Sequence, residues 1–253
     1  MLRGTEQIGF SLLELLVVIA VIAMLAGTLL PSLAAAKELA RSTKCLGNLR
    51  SLGVSMAMYH AANRQVFWPY QWPRTKGGSY FWGTTTVPVD TSGAPLLGYC
   101  DAGLETLWCP SMLWGDYVPQ GGVEEATTTY GYNAWCLDPA VWGRTGGDGK
   151  AMSIKRATEL KNPGSLFVFA DSGMFWKPGG VAIFQNSTSL DPVNLGAWGP
   201  NTTATTHFRH LGKANALTAD GAAASYGLEG GKMLDAEHQL GFVGAENVPH
   251  YDQ

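Results

Sequence analysis

The chain has 253 residues, enough for one good-sized core or two small ones, and a globular composition of 46% apolar and 15% charged residues. Its 17 basic and 20 acidic residues leave a net charge of −3, and no block of Lys and Arg offers a basic stripe for nucleic acid or DNA uptake. All nine Trp lie between Trp68 and Trp198, which divides the chain into an aliphatic beginning and an aromatic, Gly- and Pro-rich remainder with long loops.

The chain opens on a polar leader, residues 1–9, in which Glu6 offsets Arg3 and the last residue is Gly9. An apolar run from Phe10 follows, and through Ala36 its only charge is Glu14. A secretory signal places its small-residue cleavage site after the apolar run, whereas here the small residue precedes it. Cleavage after Gly9 therefore leaves the apolar segment on the mature protein. At ~1.5 Å per residue, residues 10–36 are long enough for a ~30 Å hydrocarbon core. A carboxylate near the membrane centre costs at least ~2.5–3.5 kcal/mol, so Glu14 points to a partner that neutralises it. As a bare helix feature, the same acid is well placed on the N-terminal dipole.

From Lys37 the pattern turns amphipathic. Cys45, Leu49, Leu52, Met56 and Tyr59 recur at spacings of four and three, while Lys37, Arg41, Lys44 and Arg50 fall largely off that stripe. This predicts one helix from Phe10 to about Ala62, apolar over residues 10–36 and amphipathic over 37–63, with Pro31 kinking or locally melting it. The remainder, residues 64–253, reads as a globular head. Leu166–Ala170 and Val181–Phe184 have strand character, and His207–Leu211 with Ala214–Ala219 reads as a hairpin turning at or near Gly212-Lys213. The expected fold class is α+β, a long helix packed on an antiparallel sheet with extended loops between residues 64 and 160.

The segment G-F-S-L-L-E-L-L-V-V-I-A-V-I-A, residues 9–23, resembles the class III signal of type IV prepilins and type II secretion pseudopilins. The resemblance implies cleavage between Gly9 and Phe10 by a prepilin peptidase and N-methylation of Phe10. Glu14 then falls fifth in the mature chain and Pro31 twenty-second, where that family keeps an acid and often a proline. In a filament, Glu14 would meet the free amine of a neighbouring subunit and set the assembly register. C-L-G-N-L-R-S-L-G-V-S-M-A-M-Y-H-A-A-N, from Cys45 to Asn63, resembles a large pseudopilin-like family whose members end in a histidine, nine residues, then Asp-Gly. Here these are His210 and Asp220-Gly221. Trp108–Ser111, Thr129–Asn133 and Phe167–Ser172 resemble that family's middle blocks. The implied layout is pilin-like.

Asp171-Ser172 and Asp220-Gly221 each close an apolar strand, and as turn residues they are sufficiently explained by local side-chain bonds and positive φ. A sharper alternative is a metal site of His210, Asp171 and Asp220. The resemblance adds calcium as a possible cofactor, because type II secretion pseudopilins often hold it in an acidic C-terminal loop through oxygen ligands. Four cysteines allow three pairings. They follow the membrane segment and so face the oxidising side. Cys45 and Cys109 both fall in family blocks, so the resemblance implies a Cys45–Cys109 bridge, leaving Cys100 with Cys136. Gly143–Lys150 fails as a phosphate loop because Arg144 occupies the first glycine position and Ala151 the Ser/Thr position. No metalloprotease or hydrolase signature is present, and no enzymatic activity is expected.

The leading expectation is a structural filament subunit of a type II secretion-like or type IV pilus-like system. Its implied partners are related pilin subunits, a prepilin peptidase, an inner-membrane platform protein with its assembly ATPase, and membrane lipid before assembly. It would cross the inner membrane once, with the head in the periplasm. The alternative is a minor or tip pilin that binds ligands or surfaces through its aromatic head.

Overall fold

The computed structural model describes residues 11–73, 78–84, 86, 88–101, 103–112, 127–176, 180 and 182–253. Helix α1 (Leu12–Ala62) is continuous over 51 residues. The chain divides into two compact units, Met1–Ala40 and Arg41–Gln253, so α1 contributes to both. The helix ends where Arg64 and Gln65 take φ of 55° and 63°, a left-handed pair that turns the chain back. The Gln65 N–H then donates to the His60 carbonyl and the Asn63 side chain to that of Tyr59, which satisfies carbonyls at the helix end.

Of the two effects expected at Pro31, a kink or local melting, melting does not occur: the helical assignment continues through it. Pro31 has no N–H to donate, and hydroxyls nearby supply local bonds, Thr28 to the Leu25 carbonyl and Ser32 to that of Leu29.

The head follows in order as β1 (Gln71–Trp72), β2 (Ser79–Tyr80), β3 (Tyr130–Tyr132), a one-turn helix α2 (Ala134–Leu137), β4 (Phe167–Asp171), β5 (Met174–Trp176), β6 (Ile183–Gln185), β7 (Thr206–His207), β8 (Ala214–Thr218), β9 (Ala223–Tyr226), β10 (Met233–Asp235) and β11 (Leu240–Gly241). The central sheet is antiparallel in the order β3-β4-β8-β9. A second sheet has the order β10-β11-β7, and β1-β2 and β5-β6 are two-stranded ribbons. The α+β, pilin-like expectation holds. The predicted strand at Leu166–Ala170 starts one residue later, and that at Val181–Phe184 is Ile183–Gln185, with Val181 outside the described residues.

The expected hairpin is reduced to one bridge, His210 to Lys213, around Leu211 and Gly212 at φ of 53° and 79°. Both central residues are left-handed, as a tight two-residue turn requires. Its two arms then part, β7 joining β11 and β8 joining β4 and β9.

The amphipathic stripe packs as its spacing predicts. Cys45, Leu49, Leu52, Met56 and Tyr59 are buried with Tyr130, Tyr132, Val168, Phe169 and Leu217 in one core. Burying a Leu or Met side chain fully is worth about 1.5–3 kcal/mol. Gly53 permits the close approach, since a Cβ there would lie 3.1 Å from both the Gly221 carbonyl oxygen and Leu217 Cδ1. Trp68 extends this core, stacked on Phe169 at 5.7 Å and edge-on to Tyr59 at 5.7 Å. On the other side of the sheet, Phe167, Ala170, Ala214 and Ala216 join Phe208, Phe242 and Tyr251 in a second core.

Strand β4 changes phase between these two cores. Its pairing with β8 shifts register between Phe167 and Phe169, so Phe167 belongs to one core while Val168 and Phe169 both belong to the other. Strict alternation would have put Asp171 on the same face as Phe167. The irregularity puts it on the face of Phe169, toward α1.

Candidate functional site

Two regions carry functional potential: the N-terminal half of α1 and a buried polar cluster in the head. The processing residues Gly9 and Phe10 lie outside the described residues. Just after them, the Leu13 N–H donates to Ser11 Oγ at 3.2 Å, and the Ser11 N–H donates to Glu14 Oε2 at 2.9 Å. Ser11 and Glu14 thus form a reciprocal capping box, which sequence reading touched on only as a favourable dipole contact. Within and beyond it, Leu12, Leu13, Leu16, Ile19, Ile22, Met24, Leu29 and Leu33 are exposed. The helix is long and apolar enough to cross a membrane.

In the head, four segments distant in sequence converge, with Asp171 at their centre. Cys45 comes from the buried stripe of α1, Cys109 from the loop after the turn Gly103–Leu107, Asp171 from the end of β4, and His210 from the turn before β8. All four are buried, and one ligand-type atom from each lies within 4.8 Å of the others. His210 Nε2 is 3.2 Å from Asp171 Oδ2 and 3.3 Å from Cys109 Sγ, while its Nδ1 is 3.4 Å from Ser111 Oγ. The Cys45 thiol donates to Asp171 Oδ1 at 3.5 Å, and the Asn215 N–H donates to Asp171 Oδ2 at 2.7 Å. The Tyr130 hydroxyl donates to Cys45 Sγ at 3.2 Å.

Arg209 closes the cluster. Its Nη2 donates to the carbonyls of Thr129 and Ser172, and its Nε lies 3.6 Å from Asp171 Oδ1, beyond hydrogen-bond range. The Nε and Nη1 groups are buried without hydrogen-bond partners among the described residues.

The electrostatics follow from this crowding. Burial would raise the Asp171 carboxyl, but Arg209 and His210 outweigh it and hold the group below its usual value. Burial would lower His210, but its bonds to Asp171 and Cys109 bring it up to about 10. Burial would likewise raise Cys109, yet the Cys45 thiol, His210 and Arg209 take it down to about 6. Cys45 is pushed well up, by burial first and by Cys109 and Asp171 next. Cys109 and His210 resemble an activated thiol pair, but at 1% and 4% exposure they present no surface to a substrate.

Residues 6–30 match the family model of the prokaryotic N-terminal methylation motif. The chain carries a prepilin-type signal on a pilin-like layout. No curated protein and no solved structure matches it. The prepilin motif implies processing by a prepilin peptidase and anchoring of the apolar helix in a membrane. Glu14 lies within the matched segment and Pro31 one residue beyond it.

Several expectations for the pilin-like head are corrected. All four cysteines are free thiols. Cys45 and Cys109 are neighbours, as the expected bridge required, but they share their surroundings with Asp171 and His210. Cys100 and Cys136 have different neighbours: Cys100 donates to the Leu96 carbonyl, and Cys136 lies in the field of Asp252, Lys155 and Arg144. Of the three residues named for a metal, His210 and Asp171 meet and Asp220 does not. Asp220 Oδ1 accepts from the Ala222 N–H and the Thr218 hydroxyl, while Gly221 takes φ of 91°, so Asp220-Gly221 is the turn expected. Asp171 is instead a fully buried strand-end carboxylate. Calcium, which favours six or more oxygen ligands, does not fit two sulfurs, one imidazole and one carboxylate. Cys45 and Cys109, read from the sequence as a bridge, replace Asp220. Arg209 went unnoticed, and its adjacency to His210 was the signal available.

Proposed function

We propose that this chain is a structural filament subunit, a pseudopilin of a type II secretion-like or type IV pilus-like system. It polymerises through its N-terminal helix after cleavage between Gly9 and Phe10. The observation that carries this reading is the prepilin-type motif at residues 6–30 joined to a helix whose N-terminal half exposes its large apolar side chains. Exposed apolar surface of that extent calls for lipid or protein cover. Lipid serves before assembly and sibling helices afterwards, with the head on the periplasmic side and a platform protein and ATPase driving the exchange. The chain has a structural role and no catalysis of its own.

Within that assembly Glu14 exchanges partners. Its capping bond to the Ser11 N–H holds it in the single subunit. In a filament it pairs with the amine of a neighbour's Phe10 and rejects misregistered neighbours, because a carboxylate left unpaired in an apolar core is costly. The second reading, a minor or tip subunit binding ligands through its aromatic head, rests on Trp72 and Trp198, which are 62% and 63% exposed.

Mass spectrometry of the membrane-extracted protein tests the first reading: the mature chain is expected to begin at N-methylated Phe10. A chain that still begins at Met1 in cells with an active prepilin peptidase overturns it. Glu14→Leu is expected to be processed but to form few filaments, and wild-type filament yield would remove the register role.

A further inference from the structure

We propose that Cys45, Cys109, Asp171 and His210 form a structural zinc site that ties α1 to the central sheet. The first support is geometric. Zinc–ligand distances of ~2.0–2.3 Å place the donors of a tetrahedron ~3.3–3.8 Å apart. Three of the donor separations already match: 3.2 Å from His210 Nε2 to Asp171 Oδ2, 3.3 Å from His210 Nε2 to Cys109 Sγ and, to the other carboxylate oxygen, 3.5 Å from Cys45 Sγ to Asp171 Oδ1. The whole set lies within 4.8 Å, so binding draws the remaining donors in. One nitrogen facing a sulfur and a carboxylate oxygen together is what a ligand to a common cation does. The other ring nitrogen faces Ser111 Oγ at 3.4 Å, in the position of the outer contact that orients a metal-bound imidazole.

The second support is charge. Two thiolates and one carboxylate bring −3, the cation +2 and the buried Arg209 guanidinium +1, so the filled site is neutral. Arg209 has two buried nitrogens, Nε and Nη1, without acceptors among the described residues, and its Nε lies beside this cluster at 3.6 Å from Asp171 Oδ1. Thiolate sulfurs and a metal-bound carboxylate supply negative charge where neutral thiols do not. On binding, the protons held by the thiol and imidazole groups leave to solvent and no electrons move. Thiolate and imidazole donors select zinc over calcium or magnesium. A closed four-ligand set with no open position makes the role structural. This proposal does not depend on filament assembly and stands or falls separately from it.

The test uses the full chain, solubilised in detergent and purified in reducing buffer without chelator. About one zinc per chain is expected by elemental analysis, and cobalt substitution is expected to give the visible bands and thiolate charge-transfer absorption of a tetrahedral two-thiolate site. Cys109→Ser and His210→Ala should lower the bound zinc at least tenfold, and Asp220→Asn and the Cys100→Ser/Cys136→Ser pair should leave it unchanged. Wild-type protein that takes up no zinc when offered it overturns the proposal, as does a cobalt spectrum without thiolate absorption. So does a Cys45–Cys109 disulfide in zinc-free protein isolated from cells. The wild-type measurements decide even where a variant fails to fold.

Discussion

The two halves of α1 are the same kind of helix in different circumstances. Between Leu12 and Ala40 the large aliphatic side chains are exposed, Leu29 at 63% and Leu33 at 65%. Between Arg41 and Ala62, Leu49 and Leu52 are at 0%. The difference lies in the distribution of apolar residues. An all-round apolar surface has no preferred face and needs a surrounding apolar medium, whereas a stripe at spacings of four and three has one face and finds it on the head's own sheet. The second half belongs to the head's folding and the first to whatever surrounds it.

That contrast is open to measurement. The largest effect is expected at the polar end of the buried stripe. Asp171→Ala should lower head stability by about 3–5 kcal/mol, because it leaves Arg209 buried without its nearest counter-charge. Denaturant melts of the detergent-solubilised chain, read by Trp fluorescence, would check this, and a loss below 1 kcal/mol or so would contradict the ion-pair account.

Next comes the direct comparison along α1. Leu52→Ala should cost about 2–5 kcal/mol in the same melt, while Leu29→Ala should change it by no more than about 0.5 kcal/mol. Equal losses would erase the distinction between the halves.

The smallest effect is with pH. Burial holds His60 below its ordinary value, and burial followed by the Arg209 charge holds His207 well below it. Both histidines are neutral in the folded head, so the unfolded chain binds more protons as pH falls through about 6.5, the ordinary histidine value. Their contribution to stability is therefore complete above about pH 6.5 and lost progressively below it. A His60→Phe/His207→Phe double variant should flatten that part of a stability-against-pH curve. An unchanged slope would show that other groups set it.

Much of the layout was legible because it is local. The end of α1 near Ala62, the buried set Cys45, Leu49, Leu52, Met56 and Tyr59, and the turn at Asp220-Gly221 each follow from periodicity or turn chemistry over a few residues. The same reading misplaced the hairpin arms, since strand content does not name the neighbour. It also allowed local melting at Pro31, as the alternative to a kink, where the helix instead continues although one rung of its ladder is missing. Asn186, in a formal glycosylation sequon, is buried and donates to Thr127 and Thr128, so that sequon is closed to modification in the folded head.

What the sequence determined alone is the signal, the apolar length and the helical stripe, because each is a pattern read along one segment. The Cys45, Cys109, Asp171 and His210 cluster was decided by tertiary structure. Its members come from segments up to 165 positions apart, and Asp171 reaches them only because an irregularity in β4 reverses the alternation of the strand. Sequence spacing cannot reveal a phase change whose cause is how two strands pair.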